Sequence, residues 1–324
     1  MIEDQIFAEI QRAQSILLHL HPSPDCDSQG SALAMYHALT SIGKKVTVIK
    51  GDSDLDQNMA HLPGADKIVA KNFLEIDQKE FDLFIVLDST LDRITSKGKF
   101  SFEPHLKVIN IDHHASNKGG SAIDLIDPHA SATAVMVYRL LKKWNIAVDN
   151  AIARNLLLGI YTDTGNFVHA TTNKEAFVTA MELRDLAPEF AQDISALHRM
   201  DFDVLRFESL AYRKAEKIGD VIISFISLED MQKEGIDPKA ASASLISGIL
   251  RNVNGVSLAG CGVEDTPHEI KCSFRSQDIQ KYDLSVMIPQ LGGGGHKAAA
   301  GALIRGSVVE ARERVLSVIN QYTK

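Results

Sequence analysis

Cysteine is scarce: Cys26, Cys261 and Cys272 are the only three in 324 residues, and none forms a CxxC pair. That excludes a disulfide framework and a thiolate zinc site, and it fits a reducing, cytoplasmic compartment. No apolar run approaches the ~20 residues that span a bilayer. The opening Met1-Ile2-Glu3-Asp4-Gln5 is acidic where a secretory signal would be basic, so neither a membrane anchor nor processing is expected. Excess positive charge is also missing. Against 42 Asp plus Glu there are 34 Lys plus Arg, a formal net charge of -8, which argues against a protein that coats long nucleic acid. Low-complexity sequence is absent apart from Gly292 to Gly295. With 45% hydrophobic and 23% charged residues the composition is globular, and the length suffices for two domains that each bury a core.

What is present in the first half is an alternation of short apolar runs with helical patterns, the signature of a parallel sheet with flanking helices. The runs are 15–21, 45–50, 82–88 and 107–112. Residues 29–42 read as a helix stopped by Gly43, 131–144 as a second with Ser131 or Thr133 as its cap, and 151–161 as a third. From Thr171 to about Glu216 the pattern is helical, interrupted at Pro188. Strand-like runs then return at 221–226, 255–261 and 269–274, interleaved with helices at 240–250 and 308–322. The expected organisation is α/β in two domains. Residues 1–190 are expected to form the first domain, 191–215 a helical linker and 216–324 a smaller α/β domain.

Three of the predicted strands end in hard-metal ligands: His21, Asp25 and Asp27 after the first, Asp88 after the third, and Asp112-His113-His114 after the fourth. The carboxyl ends of parallel strands share one edge of the sheet, so these groups can converge, and Asp163 at the end of an apolar helix can join them. Taken singly, each is ordinary: Asp25 and Asp27 as turn formers, Asp88 as a helix cap, the His pair as surface residues. Taken together, four carboxylates and two or more imidazoles in one crevice repel and desolvate one another unless a cation compensates. A carboxylate-rich donor set without thiolate suits Mn²⁺, with Mg²⁺ as the second candidate. Six ligands are too many for a single catalytic ion, and two ions ~3.5–4 Å apart are the usual device for displacement at phosphorus.

The order and spacing His21-x-x-x-Asp25-x-Asp27, Asp88, Asp112-His113-His114 and Asp163 resemble the DHH phosphoesterase superfamily over about residues 15–171. The resemblance implies metal ligation by His21, Asp25, Asp27, Asp88, His113 and Asp163, with Asp88 bridging two divalent cations. It further implies that His114 attends the scissile phosphate or leaving group and that Asp112 orients an imidazole.

The run Gly292-Gly293-Gly294-Gly295-His296-Lys297 offers backbone N–H groups without obstructing side chains, hence an anion nest with added charge from His296 and Lys297. Arg275, in Ser273-Phe274-Arg275-Ser276, can grip a phosphate bidentately. Together these motifs resemble the DHHA1 substrate-binding domain over about residues 240–306, and the two resemblances imply that residues 1–190 are the catalytic domain, with the active site in the cleft between the two domains. They nominate Arg275, Gly293, Gly294, Gly295 and His296 as substrate contacts, with Asn117 as a weaker phosphate contact. Cys26 reads as a buried filler, Asp92 and Arg93 as a local ion pair, Trp144 as packing, and His129, His169 and His198 as structural.

Length and motif order resemble the nanoRNase branch, which implies hydrolysis of short oligoribonucleotides to mononucleotides and of 3′-phosphoadenosine 5′-phosphate to AMP and phosphate. Short RNA or small nucleotides suit the acidic balance, and nothing in the sequence opposes a homodimer. A cyclic- or linear-dinucleotide phosphodiesterase has the same two-domain layout. A single-stranded DNA exonuclease would need an additional domain, and a manganese pyrophosphatase would lack the glycine run. A silent nucleotide sensor would tolerate a missing ligand, whereas every matching position here is filled.

Overall fold

A computed structural model of the protein describes residues 1–322. The chain divides into two compact units, Met1–Arg199 and Met200–Lys324. Among the described residues no helix is long and apolar enough to cross a membrane.

The first unit contains α1 (Ile2–Arg12), β1 (Ser15–His19), α2 (Cys26–Ser41), β2 (Lys45–Ile49), β3 (Ile68–Val69), β4 (Leu83–Leu87), β5 (Lys107–Asp112), β6 (Ile123–Ile126), α3 (Thr133–Lys143), α4 (Asn150–Asp163), α5 (Lys174–Leu186) and α6 (Phe190–Leu197). Its six strands are all parallel, in the order β3-β2-β1-β4-β5-β6. The chain runs outward from β1 to β3 and then returns to place β4 on the other side of β1. That reversal opens a crevice at the carboxyl ends of β1 and β4, where ligands bind in open α/β sheets.

The two faces of this sheet are covered differently. Ile16, Leu18, Ile85, Leu87, Ile109 and Ile111 pack under helices. On the opposite face, Leu17, Phe84, Val86 and Val108 pack under loops and 3₁₀ turns that carry Phe73, Phe100 and Phe102. Phe73 stacks on Phe84 at 5.2 Å between ring centres. Flanking helices were expected; aromatic loops do that work on one side. Trp144 is packing, as expected: it stacks on Phe7 at 5.2 Å, and its Nε1 donates to the Glu3 carbonyl.

Helix α2 begins three residues earlier than expected because the Asp25 carboxylate caps it, accepting from the Asp27 and Ser28 amides. Gly43, at φ 81°, ends it in a left-handed turn. Neither Ser131 nor Thr133 caps α3. The Ser131 hydroxyl donates to the Thr171 carbonyl and the Thr133 hydroxyl to Asp88, and the first amides of α3 are taken by a distant carboxylate, Asp27.

The second unit contains α7 (Phe202–Arg213), β7 (Glu216–Ile218), β8 (Val221–Ile226), α8 (Leu228–Lys233), α9 (Ala243–Leu250), β9 (Leu258–Thr266), β10 (Glu269–Ser276), α10 (Leu284–Met287), β11 (Gly294–His296), β12 (Ala299–Arg305) and α11 (Val308–Asn320). Its sheet runs β11-β12-β10-β9-β8-β7, with only β8 and β9 parallel. The segment expected as a helical linker, 191–215, carries most of α6 and α7, and the division between the two units falls within it. Helix α6 buries Asp193 against α4 of the first unit, while Phe207, Leu210 and Ala211 of α7 belong to the core of the second.

Candidate metal centre

The crevice beside β1 and β4 gathers the residues that the sequence nominated. After β1 the chain passes through His21, whose amide donates to the Ser28 hydroxyl at 3.2 Å. Asp25 divides its carboxylate: Oδ1 caps α2, and Oδ2 lies 3.7 Å from His21 Nε2. After β4, Asp88 adopts φ 55°, a left-handed conformation that aspartate tolerates better than most side chains. Asp88 turns Oδ2 toward His21 Nε2 (3.8 Å) and Oδ1 toward His113 Nε2 (3.6 Å). Its Oδ1 also accepts from the Thr133 hydroxyl at 2.9 Å, which fixes the carboxylate plane.

At the end of β5, His113 Nδ1 donates to the Ala130 carbonyl at 3.2 Å, so its Nε2 carries the lone pair. That Nε2 is buried with no hydrogen-bond partner, 3.3 Å from Asp163 Oδ2. Asp163 is the last residue of α4, and α4 approaches α2 closely at two glycines. A Cβ at Gly30 would stand 2.4 Å from the Asn155 carbonyl oxygen, and one at Gly159 would stand 3.0 Å from Asp27 Oδ1. Asp27 accepts from the Thr133 and Ala134 amides at 2.6 and 2.8 Å, which places a carboxylate at the positive end of α3.

Two donor groups result, one of His21, Asp25 and Asp88 and one of Asp27, His113 and Asp163, with Asp88 reaching the second through His113. His114 lies near Asp88 and His113 as well, but its Nδ1 is held by Asp112 Oδ1 at 2.7 Å. Asp112 in turn accepts from the Asn117 amide at 2.7 Å. Asn117 is therefore not a phosphate contact: it is buried and spent on Asp112 Oδ2 and Asn110 Oδ1, so it positions Asp112.

The electrostatics favour a cation. Burial, then the charge of Asp163, pushes the Asp27 carboxyl up to about 7. Burial, then Asp25, pushes Asp163 up to about 6. Asp88 is raised by burial and by Asp27. For Asp25, burial is outweighed by hydrogen bonds from His21 and from the Ser28 amide, which leaves it low. The hydrogen bond that His114 donates to the Asp112 carboxylate raises His114. Crowded carboxylates and an orphaned imidazole nitrogen fit divalent ions as hard as Mn²⁺ or Mg²⁺. Nearby Cys26 fits no such role, since burial raises its thiol to about 12.

Sequence reasoning missed Thr133 and Ala130, which hold Asp88 and His113 from a helix start and a loop far along the chain. It also misread Arg93. Asp92 Oδ1 accepts from the Thr90 hydroxyl at 2.5 Å, and among the described residues Arg93 pairs with no carboxylate.

In the second unit, Arg275 on β10, Ala299 on β12 and His296 on β11 are register partners in one row, and Ser273, Gly301 and Gly294 form the next. Cross-strand partners face the same side, so Arg275 and His296 share a face of the sheet with Ala299, Ser273, Gly301 and Gly294, and Arg275 donates to the Ser273 hydroxyl at 3.1 Å. Gly294 to His296 form an edge strand. Gly292 and Gly293 precede that strand, Gly292 in a left-handed conformation at φ 79°. Glycine is required at Gly295, where a Cβ would stand 2.5 Å from the Ala299 carbonyl oxygen, and at Gly293, where it would stand 2.2 Å from that of Gly301. Lys297 faces Asp283 at 3.7 Å, while Arg275 pairs with no carboxylate among the described residues.

The profile of the DHH family, N-terminal domain, matches residues 15–160, and that of the DHHA1 domain matches residues 217–324. The chain thus carries a DHH family N-terminal domain followed by a DHHA1 domain. Among its relatives is the bifunctional oligoribonuclease and PAP phosphatase NrnA of Thermus thermophilus, 28% identical over 98% of this chain and 93% of that protein. The protein of the same name from Bacillus subtilis is 23% identical over 94% of this chain and 93% of its own length. The crystal structure of an exopolyphosphatase-related protein from Bacteroides fragilis shares the fold with a TM-score of 0.84 at 24% identity, covering 99% of this chain and 96% of that one.

Proposed function

We propose that this protein is a metal-dependent hydrolase of phosphoester bonds that degrades short oligoribonucleotides to mononucleotides and removes phosphate from 3′-phosphoadenosine 5′-phosphate. The observation that carries this reading is Asp88, whose two oxygens face two different imidazoles, as a carboxylate shared by two ions requires. His21, Asp25 and Asp88 would hold one ion and Asp27, His113 and Asp163 the other, with Asp88 common to both. The donor chemistry favours Mn²⁺. When bound, the cations supply Lewis acidity toward the scissile phosphate and a nucleophilic water. His114, its Nδ1 fixed by Asp112, presents Nε2 to the leaving oxygen and gives it a proton as the P–O bond breaks. Arg275, His296 and the exposed backbone of Gly293, Gly294 and Gly295 would bind a phosphate of the substrate. The overall similarity to two proteins named oligoribonuclease and PAP phosphatase supports this substrate class.

The test is a panel assay of purified protein with Mn²⁺ against diadenylate, 3′-phosphoadenosine 5′-phosphate, a cyclic dinucleotide, long single-stranded DNA and pyrophosphate. Turnover of the first two ahead of the rest is expected. Preference for the cyclic dinucleotide, or turnover that survives Asp88→Ala, would overturn the reading.

A further inference from the structure

The crevice continues past the metal-facing side chains into a pocket of about 170 Å³ whose remaining wall is Ser89, Thr90, Arg93 and Ser116. Arg93 is the only Lys or Arg in that wall. The segment that carries it is well held. The Arg93 amide donates to the Thr90 carbonyl at 3.0 Å, Ile94 and Thr95 are buried, and the Thr95 hydroxyl and Ser96 amide are anchored on Asp52 at 2.8 and 2.5 Å. The exposed Arg93 guanidinium pairs with no carboxylate among the described residues, stands on a fixed backbone, and lines the same pocket as Asp25 and Asp88.

Formal charge indicates which ligand such a group suits. Asp25, Asp27, Asp88 and Asp163 together carry four negative charges, and two divalent ions cancel them, so the loaded centre is close to neutral. A phosphodiester brings one negative charge to that centre. A terminal phosphomonoester brings nearly two at neutral pH, so it leaves the larger excess of negative charge there. Arg93 supplies a permanent positive charge and planar donors matched to two phosphate oxygens. The unpartnered Ser116 hydroxyl, beside His114 in the same wall, adds a further donor.

We propose that Arg93, assisted by Ser116, seats the extra anionic oxygen of a phosphomonoester and thereby sets the ratio of phosphatase to phosphodiesterase activity. This rests on the function proposed above and specifies which side chain divides its two reactions.

The test compares Arg93→Gln, Arg93→Lys and Ser116→Ala with the parent protein. The kcat/KM of each is measured on 3′-phosphoadenosine 5′-phosphate and on diadenylate, and Mn²⁺ and orthophosphate binding to the Mn²⁺-loaded protein are measured by calorimetry. Loss of a charge-assisted contact corresponds to roughly tenfold or more. Arg93→Gln is therefore expected to lower monoester turnover about tenfold more than diester turnover and to weaken orthophosphate binding, with Mn²⁺ stoichiometry unchanged. Arg93→Lys should recover part of both, and Ser116→Ala should shift both in the same direction by less. Equal losses on the two substrates, or unchanged orthophosphate affinity, would overturn the role of Arg93. If the parent protein turns over neither substrate, the proposed function fails, and the orthophosphate titration still decides whether Arg93 binds the anion.

Discussion

The ring of His114 is held by Asp112: Nδ1 lies 2.7 Å from Oδ1, and Asn117 grips the other carboxylate oxygen, also at 2.7 Å. The pair leaves Nε2 of His114 free to point outward, and it separates this imidazole from His113, whose Nδ1 is tied to a carbonyl. Two adjacent histidines thus receive different tasks from different anchors.

Replacing His114 by Ala should lower kcat by roughly 10²–10⁴-fold, the usual share of a positioned acid or base, while bound Mn²⁺ stays constant. Asp112→Asn should fall between that variant and the parent protein. Steady-state kinetics alongside elemental analysis checks both. A His114→Ala protein that loses its metal instead would reassign the residue as a ligand.

The hydroxyl of Thr133 fixes the Asp88 carboxylate from the start of α3. Thr133→Val removes that bond at nearly constant volume and is expected to weaken metal affinity about 10–100-fold, as deletions behind a ligand usually do. Calorimetric Mn²⁺ titration provides the measurement, and an unaltered affinity would mean that Asp88 is oriented by other means.

Without metal, Asp27 and Asp163 keep protons in the folded state up to about 7 and about 6, above the pH at which the unfolded chain releases them. Folding of the chelated protein is then strongest in mild acid, and that advantage is lost as pH rises through the folded values. Its Tm should fall from about pH 5 to about pH 8, whereas saturating Mn²⁺, which binds only the folded state, should remove the decline. Scanning calorimetry with and without chelator tests this; a chelated protein that grows more stable across the range would contradict it.

A side chain at Gly51 would place Cβ 2.0 Å from the carbonyl oxygen of His21. Gly51→Ala must push the loop after β1 outward, at a cost of about 1–3 kcal/mol for overpacking, and the first donor group moves with it. Reduced Mn²⁺ affinity together with a lowered urea midpoint is the expected outcome. A variant as stable and as metal-competent as the parent would show that the loop has room to yield.

In the second unit, Asp220 accepts from Lys281 Nζ at 2.8 Å and from the Tyr282 hydroxyl at 2.9 Å. Burial works against its ionised form, but these two bonds prevail and hold the carboxyl down to about 2. The stability it contributes is present above the ordinary carboxylate range and is lost as pH falls from about 4 toward 2. Asp220→Asn should flatten the acid limb of a urea-midpoint curve. An unchanged limb would exclude the contribution.

Much of the centre was legible in the sequence because a parallel sheet sends all its strand ends to one edge. His21, Asp88 and His113 follow apolar runs directly, so local pattern and topology suffice to bring them together. The carboxylate of Asp163 needed only a helix end. What the sequence hid was long-range support. Asp27 capping α3 joins residues more than 100 apart, and no local signal announces it. The pairing of Gly294 and Gly295 with β12 was also hidden, because it depends on register rather than composition. The aromatic loop face, too, shows no period from which a layer can be inferred: Phe73, Phe100 and Phe102 come from irregular segments.

The left-handed backbone at Asp88 narrows what this position can become. Glutamate would keep the charge, but its longer stem would carry the oxygens past their partners, and it sits less readily at φ 55°. Asparagine would fit the turn and lose the charge. Geometry and chemistry therefore veto different substitutes, and aspartate alone survives both, so random mutagenesis followed by selection for turnover should return a single amino acid there.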